Sequence, residues 1–207
     1  MDYYESLARE YMGLETEKIP YYGFNYHNIT KDDMKNGDGL RVVLWMAGCN
    51  HACPGCQNPI TWDCNDGIQF DMDARSELFT ELKKDWIEGL TLSGGDPLFP
   101  KSRKGVANLI KEVREKLPEK DIWLYTGYTL KYSDADGWHF EDTVIGDDFV
   151  FPAFKDIDVI VDGRFEAKVR EADIATGKKV PWRGSSNQRV VDVKATLEAG
   201  RIIEKEV

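Results

Sequence analysis

Long apolar runs are missing from this 207-residue sequence. No stretch approaches the ~20 residues that a helix needs to cross a bilayer, so no membrane span is expected. The opening MDYYESLAREYMGLETEK carries acids and no apolar run, and does not read as a secretory signal. Positive charge is also short, with 27 Lys and Arg against 37 Asp and Glu, a net charge of -10. That balance argues against broad nucleic-acid binding, which needs a basic footprint, and against docking on an anionic membrane. Internal repeats and low-complexity tracts are absent. Cysteine is scarce, at four residues. A cytoplasmic location is expected, where disulfides are rare, so the four cysteines are read as ligands, catalysts or core residues.

What is present is enough apolar residue, 42%, for one buried core. Residues 3–13 could form a short helix, and 14–39 read as a loop rich in turn residues towards its end. Leu40–Met46 (LRVVLWM) is the first strong strand. Asp73–Glu88 has helical spacing at Leu78, Leu82 and Trp86, with Asp73 as its cap. Leu90–Ser93 is a second strand, 103–117 the clearest helix, Asp121–Gly127 a third strand and Ile157–Gly163 a fourth. Gln188–Val193 and Arg201–Glu204 are candidate late strands.

Strands alternating with helices predict βα units and a mainly parallel sheet. In such sheets the ligand site lies at the carboxyl ends of the strands. Those ends carry the unusual residues: the cysteines, then Gly94–Gly95–Asp96–Pro97, then Thr126–Gly127, then Asp162–Gly163.

Gly48–Pro59 reads GCNHACPGCQNP, placing Cys49, Cys53 and Cys56 in a C-x3-C-x2-C spacing. Soft thiolates select zinc, Cu(I) or iron–sulfur clusters. A 4Fe–4S cluster takes one cysteine per iron, so three cysteines would leave one iron open. A zinc knot closed by Cys64 or His51 is the alternative that the cysteines alone leave standing; a disulfide is a weaker one.

This C-x3-C-x2-C after a first strand, followed by Gly94–Gly95–Asp96–Pro97 after a second, resembles the radical S-adenosylmethionine (SAM) superfamily. Val161–Glu166 (VDGRFE) and Trp182–Val193 (WRGSSNQRVVDV) are similar to the C-terminal half of the anaerobic ribonucleoside-triphosphate reductase activating proteins. The resemblance covers roughly residues 38–204. Residues 1–37 and 128–154 match less clearly. The resemblance implies an α/β fold of radical SAM type, a partial (β/α) barrel in a single domain over 1–207, with residues 1–37 as an N-terminal extension.

It also implies an oxidoreductase whose cofactors are a 4Fe–4S cluster and SAM. The reduced cluster passes one electron to SAM, the carbon–sulfur bond breaks, and methionine and a 5′-deoxyadenosyl radical result. That radical takes a hydrogen atom from a glycine Cα of the large subunit of anaerobic ribonucleoside-triphosphate reductase. The implied partners are this subunit and a reduced flavodoxin or similar electron donor. An activase of another glycyl-radical enzyme, of the pyruvate formate-lyase type, and a non-catalytic zinc-binding interaction domain are the other readings.

On the resemblance, Cys49, Cys53 and Cys56 are the iron ligands. Gly55, Cys56, Gln57, Gly94, Gly95, Asp96 and Thr126 are the SAM-binding candidates, though a tight turn at Gly94–Asp96 and an ordinary loop start at Thr126 are the structural alternatives. Asn187, Gln188 and Arg189 either meet SAM or the partner, or order the last strand, and the latter is preferred because side-chain amides often satisfy loop backbones. Cys64 is expected to be a small buried hydrophobe and His51 a solvent-facing loop residue. Trp45, Trp62, Trp86 and Trp123 are expected in core or interface. Asp134, Asp136, Glu141, Asp142, Asp147 and Asp148 are expected on a solvated face.

Overall fold

A computed structural model describes residues 22–206; the expected helix at 3–13 lies outside them. Four strands form the parallel centre of a seven-stranded sheet: β2 (Arg41–Met46), β4 (Gly89–Gly94), β5 (Asp121–Tyr125) and β9 (Val159–Asp162). Each is a short apolar run matching a strand read from sequence. Both flanks are antiparallel. β1 (Asn25–Asp33) pairs with β2 and with β3 (Ile68–Gln69), and β10 (Arg189–Asp192) pairs with β9. The order is β10-β9-β5-β4-β2-β1-β3, so the sheet is mixed rather than mainly parallel.

β1 replaces the loop expected over 14–39. Its register against β2 shifts twice, between Tyr26 and Asn28 and between Thr30 and Asp33. Such irregularities break the period-two alternation that marks a half-buried strand, and only Tyr26 and Ile29 are buried in it. Arg201–Glu204 makes a single bridge, Val191 to Glu204, and no strand.

Helix α1 (Met72–Leu82) is shorter than Asp73–Glu88, and its N-cap is Asp71, which accepts from the amides of Asp73 and Ala74. Its C-terminal continuation is diverted by Lys120, whose Nζ donates to the carbonyls of Lys84 and Ile87 at 3.1 and 2.6 Å. The carbonyls just past the helix are thus bound by an ammonium rather than by the amides of a further helical turn. Trp86, beyond the helix end, is 57% exposed rather than core. Helix α2 (Arg103–Lys116) agrees with the sequence reading. Helices α3 (Ala167–Ala175) and α4 (Val193–Ala199) were not read.

Alternation along the strands gives the two faces of the sheet separate tasks. Val42, Leu44 and Met46, Leu90 and Leu92, and Ile122 and Leu124 pack with Leu78, Leu82, Leu109, Ile110 and Val113 of α1 and α2. The opposite parity holds Trp123, Val159, Val161 and Val190 as a smaller cluster. Near it Arg41 is fully buried, donating to Thr91 Oγ1 at 2.8 Å and the Leu90 carbonyl at 2.9 Å. Arg41 also pairs with Asp121 at 2.6 Å and lies 5.3 Å from the Trp123 ring centre. A fully buried guanidinium persists only with such complete partnering.

Residues 128–154 carry a second, antiparallel sheet of β6 (Thr129–Ser133), β7 (Gly137–Glu141) and β8 (Asp148–Phe149). Leu130, Phe140, Phe151 and Phe154 extend the main core into it. Among the described residues, no helix is long and apolar enough to cross a membrane.

Candidate functional site

The carboxyl ends of β2, β4, β5 and β9 open on a cavity of about 440 Å³. Its wall brings together residues that sequence spacing could only order: Cys49, Cys53, Cys56 and Gln57, Gly94 to Asp96, Thr126 and Gly127, and Gly163. The predicted Gly55 does not line it. Gly55 is exposed and takes φ +74°, and a Cβ there would stand 3.2 Å from Ala167 Cβ.

Backbone hydrogen bonds tie the cysteine loop to the strand ends. Gly95 N donates to Met46 O and Asp96 N to Gly48 O, both at 2.8 Å. Gly48 N reaches Thr61 O at 2.8 Å and Cys49 N reaches Trp62 O at 3.0 Å. These contacts need glycine. Gly94 takes φ +100°, and a Cβ at Gly95 would stand 2.5 Å from the Gly48 carbonyl oxygen.

Asp96 is 1% exposed and collects donors. Its carboxylate accepts from Thr126 Oγ1 at 2.9 Å, Gly127 N at 2.8 Å and Leu98 N at 2.8 Å. His51 Nε2 lies 2.6 Å from Asp96 Oδ2; a carboxylate only accepts, so this nitrogen donates. Asp96 and Thr126 are therefore both engaged by groups of the protein, Thr126 Oγ1 also accepting from Tyr128 N. His51, expected in solvent, is buried. Asp142, expected on a solvated face, is 1% exposed and faces the same imidazole.

Cys49, Cys53 and Cys56 are half-buried and none is in a disulfide. Burial, followed by the nearby negative charge of Asp96, pushes the Cys49 thiol up to about 12. A thiolate here needs compensating positive charge, which a bound metal would supply. The Cys56 sulfur accepts from Asn58 N at 3.3 Å. Among the described residues, no group of three His, Cys, Asp or Glu side chains converges where one ion could be held. A closed structural zinc site takes four protein ligands, whereas in an iron–sulfur cluster each cysteine takes its own iron. The two further zinc ligands considered are also engaged elsewhere: His51 on Asp96, and Cys64, half-buried rather than fully so, with Lys101 Nζ 3.4 Å from its sulfur. Three free thiols on one wall fit a cluster.

Asn187, Gln188 and Arg189 have structural partners. Gln188 accepts from Gly184 N and Ser185 N and donates to Gly163 O, and Asn187 Nδ2 donates to Arg164 O. Arg189 pairs with Asp162. Gln188 also lines the cavity. Sequence reading missed Tyr125, Phe165, Trp182 and Arg183 on the wall. Tyr125 was recoverable, because it shares the parity of Trp123 and so points to the face away from the helices.

A family model described as a 4Fe–4S single cluster domain matches residues 35–191. A protein of Enterobacteria phage T4 named anaerobic ribonucleoside-triphosphate reductase-activating protein is 43% identical over 166 residues, 80% of this chain and 92% of that protein. The chain belongs to this activating-protein family. Members from Escherichia coli K12 and Pasteurella multocida are each 36% identical, over 80% and 79% of this chain and 97% and 94% of theirs. The family carries the 4Fe–4S single cluster domain across the cysteine loop, the strand ends and β10.

Proposed function

We propose that this protein is a radical SAM activase that cleaves SAM reductively and installs the glycyl radical of anaerobic ribonucleoside-triphosphate reductase. One observation carries the reading: three free cysteines in C-x3-C-x2-C spacing share a cavity wall with the Gly94–Asp96 turn. In this reading Cys49, Cys53 and Cys56 would each hold one iron of a 4Fe–4S cluster, leaving one iron without a cysteine for SAM. The four parallel strands, with α1 and α2 on one face and the cavity on the other, support a partial barrel of the radical SAM type.

When bound, the reduced cluster and SAM supply the electron transfer, carbon–sulfur cleavage and hydrogen abstraction. The chain's own part is position and shelter. Cys56, Gln57 and Gly94 to Asp96 frame the place of SAM beside the cysteines, and Thr126 fixes Asp96. Lys35, Arg170 and Arg183 on the wall offer cations to a carboxylate. Trp45, Trp182 and Phe165 offer faces to a purine. The same walls exclude water and stray C–H bonds from the reacting centre. The partners in this reading are the large reductase subunit and a reduced flavodoxin-like donor in the cytoplasm.

The test is anaerobic reconstitution, reduction with dithionite and addition of SAM. About four irons per chain, with formation of methionine and 5′-deoxyadenosine, is the expected result. A glycyl-radical EPR signal on the reductase after mixing completes it. A reconstituted, reduced protein that leaves SAM intact refutes the reading.

A further inference from the structure

Between Cys49 and Cys53 the chain turns a histidine inward. The His51 side chain is 2% exposed and is held from several sides. Nε2 lies 2.6 Å from Asp96 Oδ2, after β4. Nδ1 faces Asp142 Oδ2, on the loop after β7, at 3.4 Å. The Tyr128 ring meets the imidazole edge to face, with centres 4.7 Å apart. Gly127, after β5, lies so flat against it that a Cβ there would stand 2.4 Å from His51 Cδ2. The His51 carbonyl accepts from Arg164, after β9. One residue of the cysteine loop thus touches segments following three of the four parallel strands, and the added sheet.

We propose that His51 is a positioning residue: it locks the cysteine loop to the strand ends, and so sets where the cysteine-held cluster stands relative to bound SAM. The proposal rests on the radical SAM reading above. Asp96 keeps three other donors, Thr126 Oγ1, Gly127 N and Leu98 N, when the imidazole is removed. The Gly94–Asp96 turn also keeps its backbone bonds to Met46 and Gly48. What is lost is the side-chain hold on the loop between its first two cysteines, the Arg164 bond to the backbone carbonyl at 51 remaining.

The test uses the full chain as wild type, His51→Ala and His51→Gln, the last retaining an N–H donor for Asp96. Amide hydrogen exchange is followed over residues 48–57 of the cluster-free proteins. Iron content and the EPR spectrum of the reduced cluster are then recorded during a SAM titration. In His51→Ala we expect roughly tenfold faster loop exchange and a roughly tenfold higher SAM half-saturation, the scale of losing a hydrogen bond to a charged group. Iron content stays near wild type, and His51→Gln recovers most of both losses. Unchanged exchange and SAM response in His51→Ala overturn the proposal, as does a folded His51→Gln no better than Ala. Should His51→Ala not fold, Asp142→Ala replaces it, since it frees the imidazole from the added sheet alone; wild-type exchange and titration there overturn the proposal equally. If the wild-type cluster itself ignores SAM, the radical SAM reading falls, and the exchange comparison alone decides for or against the clamp.

Discussion

Gly95 and Gly48 meet backbone to backbone: a Cβ on Gly95 would stand 2.5 Å from the Gly48 carbonyl oxygen and 3.0 Å from the carbonyl oxygen of Thr61. Neither obstacle is the end of a flexible side chain, so the strand end and the cysteine loop can be this close only with glycine at 95. Gly95→Ala is expected to push the loop outward. Iron loading after reconstitution should fall severalfold while far-UV circular dichroism keeps its wild-type shape. Normal iron content and SAM turnover in this variant would show that the loop can shift without consequence.

The three cysteines of the loop and the fourth outside it should divide cleanly. Replacing Cys49, Cys53 or Cys56 singly by Ala is expected to remove the brown colour and abolish 5′-deoxyadenosine formation. Cys64→Ala should leave both largely intact, because its sulfur is turned to Lys101. Loss of product in a folded Cys64→Ala protein would reject the ligand assignment.

Tyr125 lines the cavity with a hydroxyl that is buried and has no hydrogen-bond partner among the described residues; burial pushes its pKa upward. A buried donor of this kind awaits a ligand atom. Tyr125→Phe is expected to raise the SAM half-saturation about 3- to 10-fold, the scale of one hydrogen bond, with iron content unchanged. A SAM titration by EPR measures it, and wild-type affinity would remove Tyr125 from the binding surface.

Stability should show an acid limb through Glu112. Burial works to raise its pKa, but hydrogen bonds from Arg75, Tyr22 and Lys116 outweigh burial and hold it below the usual carboxylate range. A carboxyl lowered by folding contributes stability that is complete above its unfolded pKa, near ~4.3, and is lost as pH falls through the folded value. Glu112→Gln should lower Tm at pH 7 and flatten the fall of Tm below about pH 4.3. Parallel Tm–pH curves for the two proteins would contradict this.

Arg41 provides the largest expected loss of stability. Removing a fully buried guanidinium strands Asp121 and the Leu90 carbonyl and opens space beside Trp123. Arg41→Ala is expected to cost about 3–5 kcal/mol in urea unfolding. A cost near zero would mean that water replaces the side chain freely.

The central strands were readable because β2, β4, β5 and β9 are short runs rich in apolar and β-branched residues, a signal that needs no partner to be seen. The cysteine spacing, and the order of the cysteines and the Gly94–Pro97 turn along the chain, were equally local. β1 was not readable. Its polar composition and two register shifts carry no period, and pairing with β2 and β3 makes it a strand. The end of α1 was misplaced for a similar reason, since Lys120, 36 and 33 positions away, binds the Lys84 and Ile87 carbonyls of the segment that follows the helix.

His51 and Asp142 show the limit most clearly. Each is a polar residue in a polar stretch, and a polar residue in isolation belongs in water. Only the fold brings their segments together with Asp96, so that His51 Nε2 finds a carboxylate and Asp142 Oδ1 finds the Val144 amide where both residues are buried. Residue type and spacing along the chain thus determined which sulfurs are the candidate iron ligands and which strands form the central sheet. The tertiary structure decided which polar groups are enclosed and which surfaces wall the cavity, because burial depends on contacts between segments that local sequence does not encode.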